Sequence, residues 1–490
     1  MAGFKSLATD TAIYGLSSIV GRFLNYLLVP LYSYKIAASS GGYGVITNLY
    51  AYTALLLVIL TYGMETTFFR FANNGKDRPE KVFSTALTMV GTTSLLFALL
   101  VLSFLHPISA AMGYADHPSY IGAMAVVVAL DAFQALLFSY LRYQRKALKF
   151  AALKLLFIGL NIALNLVYFL LLPSLYAAHP ESVAALYDPQ VGVGYVFYIN
   201  LFCTAVVTFF FAGELKVLGA GFDRGLCRRM LGYTWPLLIL GIAGILNQTA
   251  DKMLFPWLYP GEDAQVQLGI YGAAVKIAMI MAMITQAFRY AYEPFIFGQS
   301  KDRKQGVETA AAGMKYFVIF TLLAFLAVMA YMNILRYIIH RDYWEGLKVV
   351  PIVMAAEMMM GIYFNLSFWY KLTDKTIWGA VFSITGCLVL LTVNVLFVPK
   401  FGYMACAWGG FAGYGVAMTL SYLVGQKKAP VPYPMGRMAL YLLLAGVLLI
   451  GITLSNQRLG FWSAMGVNTL LIAIYCLFLL KKERLLSSGR

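Results

Sequence analysis

Eleven ionisable side chains fall inside stretches that are otherwise apolar: Arg22, Glu65, Asp131, Lys154, Asp251, Lys252, Lys276, Arg289, Glu293, Lys315 and Glu357. Their spacing sorts them. Gln286, Arg289, Tyr290 and Glu293 stand at i, i+3, i+4 and i+7, a polar stripe along one side of an apolar helix. Arg22 shares a helical face with Asn25 and Tyr26. Asp251 and Lys252 sit side by side within LNQTADKMLFPWLY, residues 246–259. A charge at the centre of a membrane helix costs roughly 2.5–3.5 kcal/mol, so each of these must face water, find a partner or reach the interface. Lys154 and Lys315, near helix ends, are expected to snorkel, and Asp131 and Glu357 fit either environment. Arg289 and Glu293 at i,i+4 form a self-sufficient pair; they read equally as a lock between helices or as the wall of a wet cavity. Asp251 and Lys252, as adjacent residues, point in different directions and are not expected to pair in the same way. That favours Arg22 and Lys252 as cations lining a water-filled passage, where the chemistry open to them is holding an anion.

The elements that position these charges follow from composition. Hydrophobic residues make up 61% of the 490 and charged residues 12%, against about 45–50% and about 25% in soluble domains. The apolar runs are long and do not alternate, which selects helices over a β-barrel. Fourteen spans are expected, near 11–34, 45–69, 82–105, 120–141, 150–172, 193–212, 234–257, 268–297, 310–335, 347–370, 377–398, 404–424, 438–455 and 461–480. The fold class is therefore an all-α polytopic membrane protein. The first span holds Arg22 and Pro30 and lacks a small-residue cleavage pattern, so it is read as a span and not as a signal peptide.

The net charge of +16 reflects topology and not a nucleic-acid surface. With the N-terminus in the cytoplasm, 25 of the 37 Lys and Arg fall on cytoplasmic segments, among them Arg70, Arg142, Arg224 and Lys371, and only six on the opposite side. The positive-inside rule then places both termini in the cytoplasm. Cys203, Cys227, Cys387, Cys406 and Cys476 show no paired spacing, and His106, His117, His179 and His340 map outside the spans or to their outer ends. Neither disulfides, metal nor cofactor is indicated.

An internal repeat orders the chain. Gly15, Ile19 and Pro30 align with Gly241, Ile245 and Pro256 at an offset of 226. GGYG at 41–44 meets GIYG at 269–272, offset 228, and the same offset pairs Tyr62 with Tyr290 and Glu65 with Glu293. Asn165 meets Asn394 at 229, which also sets Arg142 on Lys371 and Lys146 on Lys375. Each unit holds six spans, an even number, so the copies have the same orientation and are expected to be related by an axis along the membrane normal. The expected organisation is a six-helix bundle at 1–212, a cytoplasmic linker at 213–233, a second six-helix bundle at 234–424, and an appended two-helix hairpin with a tail at 425–490. Arg22, Lys252 and Arg289 lie on the first two helices of a copy, where parallel symmetry would present them to a central cavity. Glu65, Asp251 and Glu293 are the carboxylates available for ion pairing or for coupling.

Several segments, in order, resemble the multidrug/oligosaccharidyl-lipid/polysaccharide exporter superfamily: SSIVGRFLNYLLVPLYSYKIA and GGYG in the first half, then TWPLL, NQTADKMLF, GIYGAAVKIAMIMAMITQAFRYAYEPF and VNVLFVPKFGYMACAWGGFAGY. Within it the chain is most similar to the bacterial polysaccharide transporters, the Wzx-type oligosaccharide flippases, over nearly its whole length. The resemblance implies a flippase and not an enzyme. Its substrate would be an oligosaccharide on undecaprenyl pyrophosphate, moved by alternating access across the bacterial inner membrane to the periplasmic leaflet. It further implies a cationic lumen at Arg22, Lys252, Arg289 and Lys276, with proton or sodium coupling and a monomer among membrane lipids. A lipid II-type flippase or a drug/cation antiporter of the same superfamily is the alternative. Lipid II flippases share the fourteen spans but cluster arginines near the N-terminus, where this first span has only Arg22. Drug exporters favour acidic binding groups and generally twelve spans. A membrane polymerase or glycosyltransferase would need catalytic groups on a large outer loop, and 173–192 offers only His179, Glu181 and Asp188.

Overall fold

The computed structural model describes residues 20, 24, 26–299, 303–372, 375 and 377–487, and no strand occurs among them. Among the described residues eleven helices are long and apolar enough to cross a membrane, and a twelfth is supplied if the helix pair Gly194–Phe209 and Glu214–Ala220, bent by 61°, is one span. These match the second to eleventh, thirteenth and fourteenth expected spans. Most of the first, near 11–34, lies outside the described residues. The twelfth forms a 26-residue helix, Tyr403–Lys428, that is not among the eleven; its five glycines and two terminal lysines dilute the apolar character.

The chain forms two compact units, Met1–Met253 and Leu254–Arg490. In the first, the principal helices are α1 (Leu28–Lys35), α2 (Gly42–Thr61), α3 (Met64–Ala72), α4 (Pro79–Ser103), α5 (Pro118–Tyr143), α6 (Ala147–Leu166), α7 (Gly194–Phe209) and most of α8 (Arg224–Leu258). Proline opens α4 and α5 where its missing N–H has no helical partner to lose. The core is aromatic: Phe83 stacks on Tyr140 at 4.0 Å between centroids, with Phe68 edge-on to Phe83 at 5.4 Å. Leu136, Leu141, Phe211 and Met230 close around them.

Between α2 and α3 the chain breaks at Tyr62 (φ 33°) and Gly63 (φ 72°), both left-handed. Tyrosine in that region is strained, so the break must be held. Thr234 of α8 holds it. Its hydroxyl donates to the Tyr62 carbonyl at 2.6 Å and lies 3.0 Å from the Thr67 hydroxyl. Gly63 is obligatory on two counts, its positive φ and the Leu237 Cβ that would stand 2.8 Å from an added methyl.

The second unit contains α9 (Ala264–Gln299), α10 (Arg303–Ala330), α11 (Val350–Leu366), α12 (Ile377–Phe401), α13 (Tyr403–Lys428) and the hairpin α14 (Met435–Arg458) and α15 (Phe461–Ser487). In α12 and α13, Gly386 and Gly413 lie back to back, a Cβ on either falling within 2.8 Å of the other's carbonyl oxygen. Small residues let membrane helices approach this closely. The hairpin packs on α10 through Met314, Leu322, Leu326, Tyr441, Leu448 and Tyr475. Polar groups tie it at both ends: Lys315 Nζ donates to Glu483 at 2.5 Å and the Tyr441 hydroxyl to the same carboxylate at 2.6 Å. At the other end Asn468 donates to the Ala330 carbonyl at 2.8 Å and to Asn456 Oδ1 at 2.9 Å. Lys315, expected to snorkel, pairs with Glu483 because α15 brings a carboxylate within its reach.

Candidate functional site

Lys252 lies on α8, four residues before Pro256. Its side chain curls back along the helix, so that Nζ donates to the Gln248 carbonyl at 3.0 Å and to both Asp251 oxygens at 3.0 Å. The expectation that adjacent residues would not pair is overturned. Adjacent Cβ atoms do diverge by about 100° around the helix, but the lysine stem is long enough to bring the ammonium round to its neighbour. The pair is sheltered, with Lys252 19% and Asp251 8% exposed at the side chain.

The same turn explains why the backbone is pinned. Pro256 has no N–H to give the Lys252 carbonyl four residues earlier. Asn48 of α2 supplies the missing donor: its Nδ2 reaches the Lys252 carbonyl at 2.8 Å and the Met253 carbonyl at 3.5 Å, and the Tyr52 hydroxyl adds a bond to Met253 O at 3.2 Å. Asn48 is itself oriented by the Tyr114 hydroxyl, which donates to its Oδ1 at 2.8 Å. Sequence reasoning missed this cluster. The available signal was an uncharged asparagine inside an apolar helix, together with a proline inside another.

Glu65 is claimed by its own unit. Arg142 donates to it at 3.0 Å and Ser139 at 2.9 Å, and the Arg142 guanidinium also lies 5.2 Å from the Phe69 ring centroid. Nearby, Asp131 and Lys154 interact electrostatically, and the Lys154 ammonium sits 4.0 Å above the Phe138 ring. Lys154, expected to snorkel, has the Phe138 ring of α5 against its ammonium. An aromatic face is a better environment for an ammonium than hydrocarbon.

On α9, Arg289 stacks on Phe364 with its guanidinium carbon 4.9 Å from the ring centroid. Around it Phe288, Tyr292, Phe317, Asn365 and Phe368 leave a void of about 10 Å³, the lower limit for one water. Gly361 faces it, and an added Cβ there would collide with Phe317. Lys276 is partly buried on α9 and makes polar contacts of its own. Thirteen residues separate it from Arg289, roughly 20 Å along a helix, so one phosphate group cannot touch both at once. Arg22 and the Glu293 side chain lie outside the described residues.

Two pairs of positions aligned by the offset are alike in burial, each within its own unit. Tyr43 and Tyr271 are both buried, as are Asn165 and Asn394. Asn165 accepts from the Tyr32 hydroxyl at 2.8 Å.

A family profile described as polysaccharide biosynthesis protein matches residues 7–296. No curated protein matches the chain. Among solved structures the chain is similar to one titled lipid II flippase MurJ, inward closed conformation, at 12% identity with a TM-score of 0.74, covering 96% of this chain and 99% of that one. It is also similar to an inward-facing multidrug resistance MATE family transporter of the MOP superfamily, at 15% identity and a TM-score of 0.58 over 83% and 94%. A structure of the MATE multidrug transporter DinF-BH gives 16% identity and 0.59 over 87% and 96%. At these identities the likeness is one of fold: a polytopic helical fold shared with flippases and transporters of that superfamily.

Proposed function

The chain belongs to the polysaccharide biosynthesis protein family, and on that premise we propose that it is a flippase of the bacterial inner membrane. It carries undecaprenyl-pyrophosphate-linked oligosaccharide from the cytoplasmic to the periplasmic leaflet by alternating access. The observation that carries the reading is the family match combined with a fold that accounts for 99% of a lipid II flippase. Both termini are cytoplasmic in this reading, by the distribution of lysine and arginine, and the two six-helix copies are 1–212 and 234–424 with 213–233 as their linker.

A pyrophosphate carries charge that a low-dielectric passage does not accept without fixed cations. Lys252 and Arg22 are the proposed primary cations, Lys252 aligning with Tyr26 one turn beyond Arg22. Arg289 and Lys276 act at other depths, as their separation on α9 requires. The Asp251–Lys252 pair gives Lys252 a resting partner, so that the ammonium is compensated when no substrate is bound. Pyrophosphate then competes with Asp251 for Lys252, and a proton or sodium ion taken by the released Asp251 carboxylate is the route to coupling.

The test is a strain lacking the protein. Lipid-linked oligosaccharide should still be made but stay accessible only from the cytoplasmic leaflet. Glycan of normal composition lacking its polymer linkages would mark a polymerase, and unchanged glycan with lost drug resistance would mark a drug exporter.

A further inference from the structure

A second feature of the first unit shares none of the residues named for the transport site. α2, α4 and α8 enclose a groove of about 660 Å³. From α8 it takes Cys227, Leu231, Thr234, Trp235 and Leu238, spaced i, i+4, i+7, i+8 and i+11 and so a single helical face. Across from them stand Ile59 and Tyr62 at the helix break, and Thr88, Met89, Thr92 and Thr93 on α4.

Three of the four lining threonines have their hydroxyls bonded to backbone. Thr88 donates its hydroxyl to the Ser84 carbonyl at 2.8 Å, Thr93 to the Met89 and Val90 carbonyls at 3.1 Å, and Thr234 to the Tyr62 carbonyl. These three hydroxyls are satisfied by backbone carbonyls. Trp235 is 61% and Leu231 45% exposed along it. A mostly apolar recess gives water few groups to bond, and left empty it would forfeit dispersion contacts along its lining. In a bilayer the occupant available to it is a hydrocarbon chain.

The foot of the groove selects the headgroup. Arg224, the first residue of α8, is three residues before Cys227 and falls on the same helical face; it is exposed, and no carboxylate lies within ion-pair distance of it among the described residues. Lys81 falls on the groove face of α4, seven residues before Thr88, and its ammonium is 3.6 Å from Asp223, both side chains being well exposed. Apolar walls above and cations below match a lipid with a negative headgroup. We propose that this groove is a binding site for an anionic phospholipid, one acyl chain between α4 and α8 and its phosphate at Arg224 and Lys81.

Cys227 lines the groove and reports on its occupancy. The full chain carrying Cys203→Ser, Cys387→Ser, Cys406→Ser and Cys476→Ser is placed in nanodiscs of phosphatidylcholine, with or without phosphatidylglycerol, and modification of Cys227 by N-ethylmaleimide is timed by mass spectrometry. Phosphatidylglycerol should slow the reaction about fivefold for each cation engaged. Arg224→Gln with Lys81→Gln should erase the difference, and Thr92→Phe, filling the groove, should abolish lipid protection. In native mass spectrometry the protein with all its cysteines should retain phosphatidylglycerol, and Arg224→Gln should lose it. Equal rates in the two nanodiscs, or a difference that survives the double substitution, overturns the proposal. Protection by a polyprenyl phosphate where phosphatidylglycerol gives none also overturns it and assigns the groove to the chain of the transported lipid.

Discussion

The side-chain amide of Asn48 donates to the Lys252 carbonyl at 2.8 Å, filling the bond that Pro256 cannot make. A proline inside a membrane helix leaves a carbonyl without its helical donor, and a side chain must supply one because no water is there. Asn48→Ala should lower stability by about 1–3 kcal/mol, the penalty for an orphaned buried acceptor. Pro256→Ala restores the helical N–H, so Asn48→Ala in that background should cost clearly less. Thermal unfolding of the four proteins in detergent measures the coupling. Additive effects would mean that Asn48 acts through its other contacts.

The pairing of Glu65 with Arg142 makes a different forecast. Both side chains are about two-fifths exposed, and exposed ion pairs contribute about 0.2–1 kcal/mol. A double-mutant cycle with Glu65→Gln and Arg142→Gln should give a coupling in that range, and Glu65→Gln should leave the pH dependence of transport unchanged. A displaced pH profile would instead make Glu65 a coupling carboxylate.

Much of this was legible before the structure. Hydrophobic runs of membrane length gave the helices, and the residues the offset aligns, Asn165 with Asn394 and Tyr43 with Tyr271, are all buried. The interior charges were legible as a set but not in their pairings. Sequence spacing treats a side chain as a direction, whereas Lys252 reaches its neighbour by the length of its stem. Glu65 with Arg142, and Lys315 with Glu483, depend on which helices pack together, and no local pattern encodes that. The Asn48 cluster was hidden for a related reason: the proline creates the demand on one helix and the asparagine answers it from another.

The break at Tyr62 and Gly63 should be intolerant of change. Gly63→Ala adds a methyl at φ 72° and 2.8 Å from Leu237 Cβ, and strain of this kind costs about 1–3 kcal/mol. Thr234→Val removes the donor to the Tyr62 carbonyl and should cost a similar amount. Melting temperatures of the purified variants give the check; wild-type values for both would show that the break is not held by α8.

Acid should loosen the start of α8. The Leu226 N–H donates to Asp223 Oδ1 at 2.9 Å, with the Lys81 ammonium close by, and together they hold the Asp223 carboxyl below the usual aspartate range. A carboxyl so depressed adds stability that is fully present above the unfolded value of about 3.9. That stability is lost as pH falls through the folded value. Amide exchange at Leu226 and Cys227, corrected for intrinsic rates, should therefore speed up below about pH 4. Asp223→Asn keeps a capping oxygen and should remove the pH dependence; an unchanged profile would assign it elsewhere.

The Asp251–Lys252 pair decides between a structural and a transporting role for the interior cations. If Lys252 serves only to neutralise Asp251, then replacing both, Asp251→Asn with Lys252→Gln, leaves no charge uncompensated and should preserve transport. If it holds the pyrophosphate, the double variant should fail, as should Lys252→Gln alone. Lys252→Arg keeps a cation and should retain most activity. Asp251→Asn removes the competitor and should strengthen substrate binding while weakening release. Arg22→Gln should behave like Lys252→Gln. Loss of a substrate contact that includes a charge-assisted hydrogen bond is worth about 1.5–3 kcal/mol, or roughly ten- to a hundredfold in transport rate at limiting substrate. Measured in proteoliposomes at matched protein levels, parental rates for Arg22→Gln, Lys252→Gln and the double variant together would rule out a cationic passage. A failing Lys252→Gln rescued by Asp251→Asn would leave the pair as a structural element of α8.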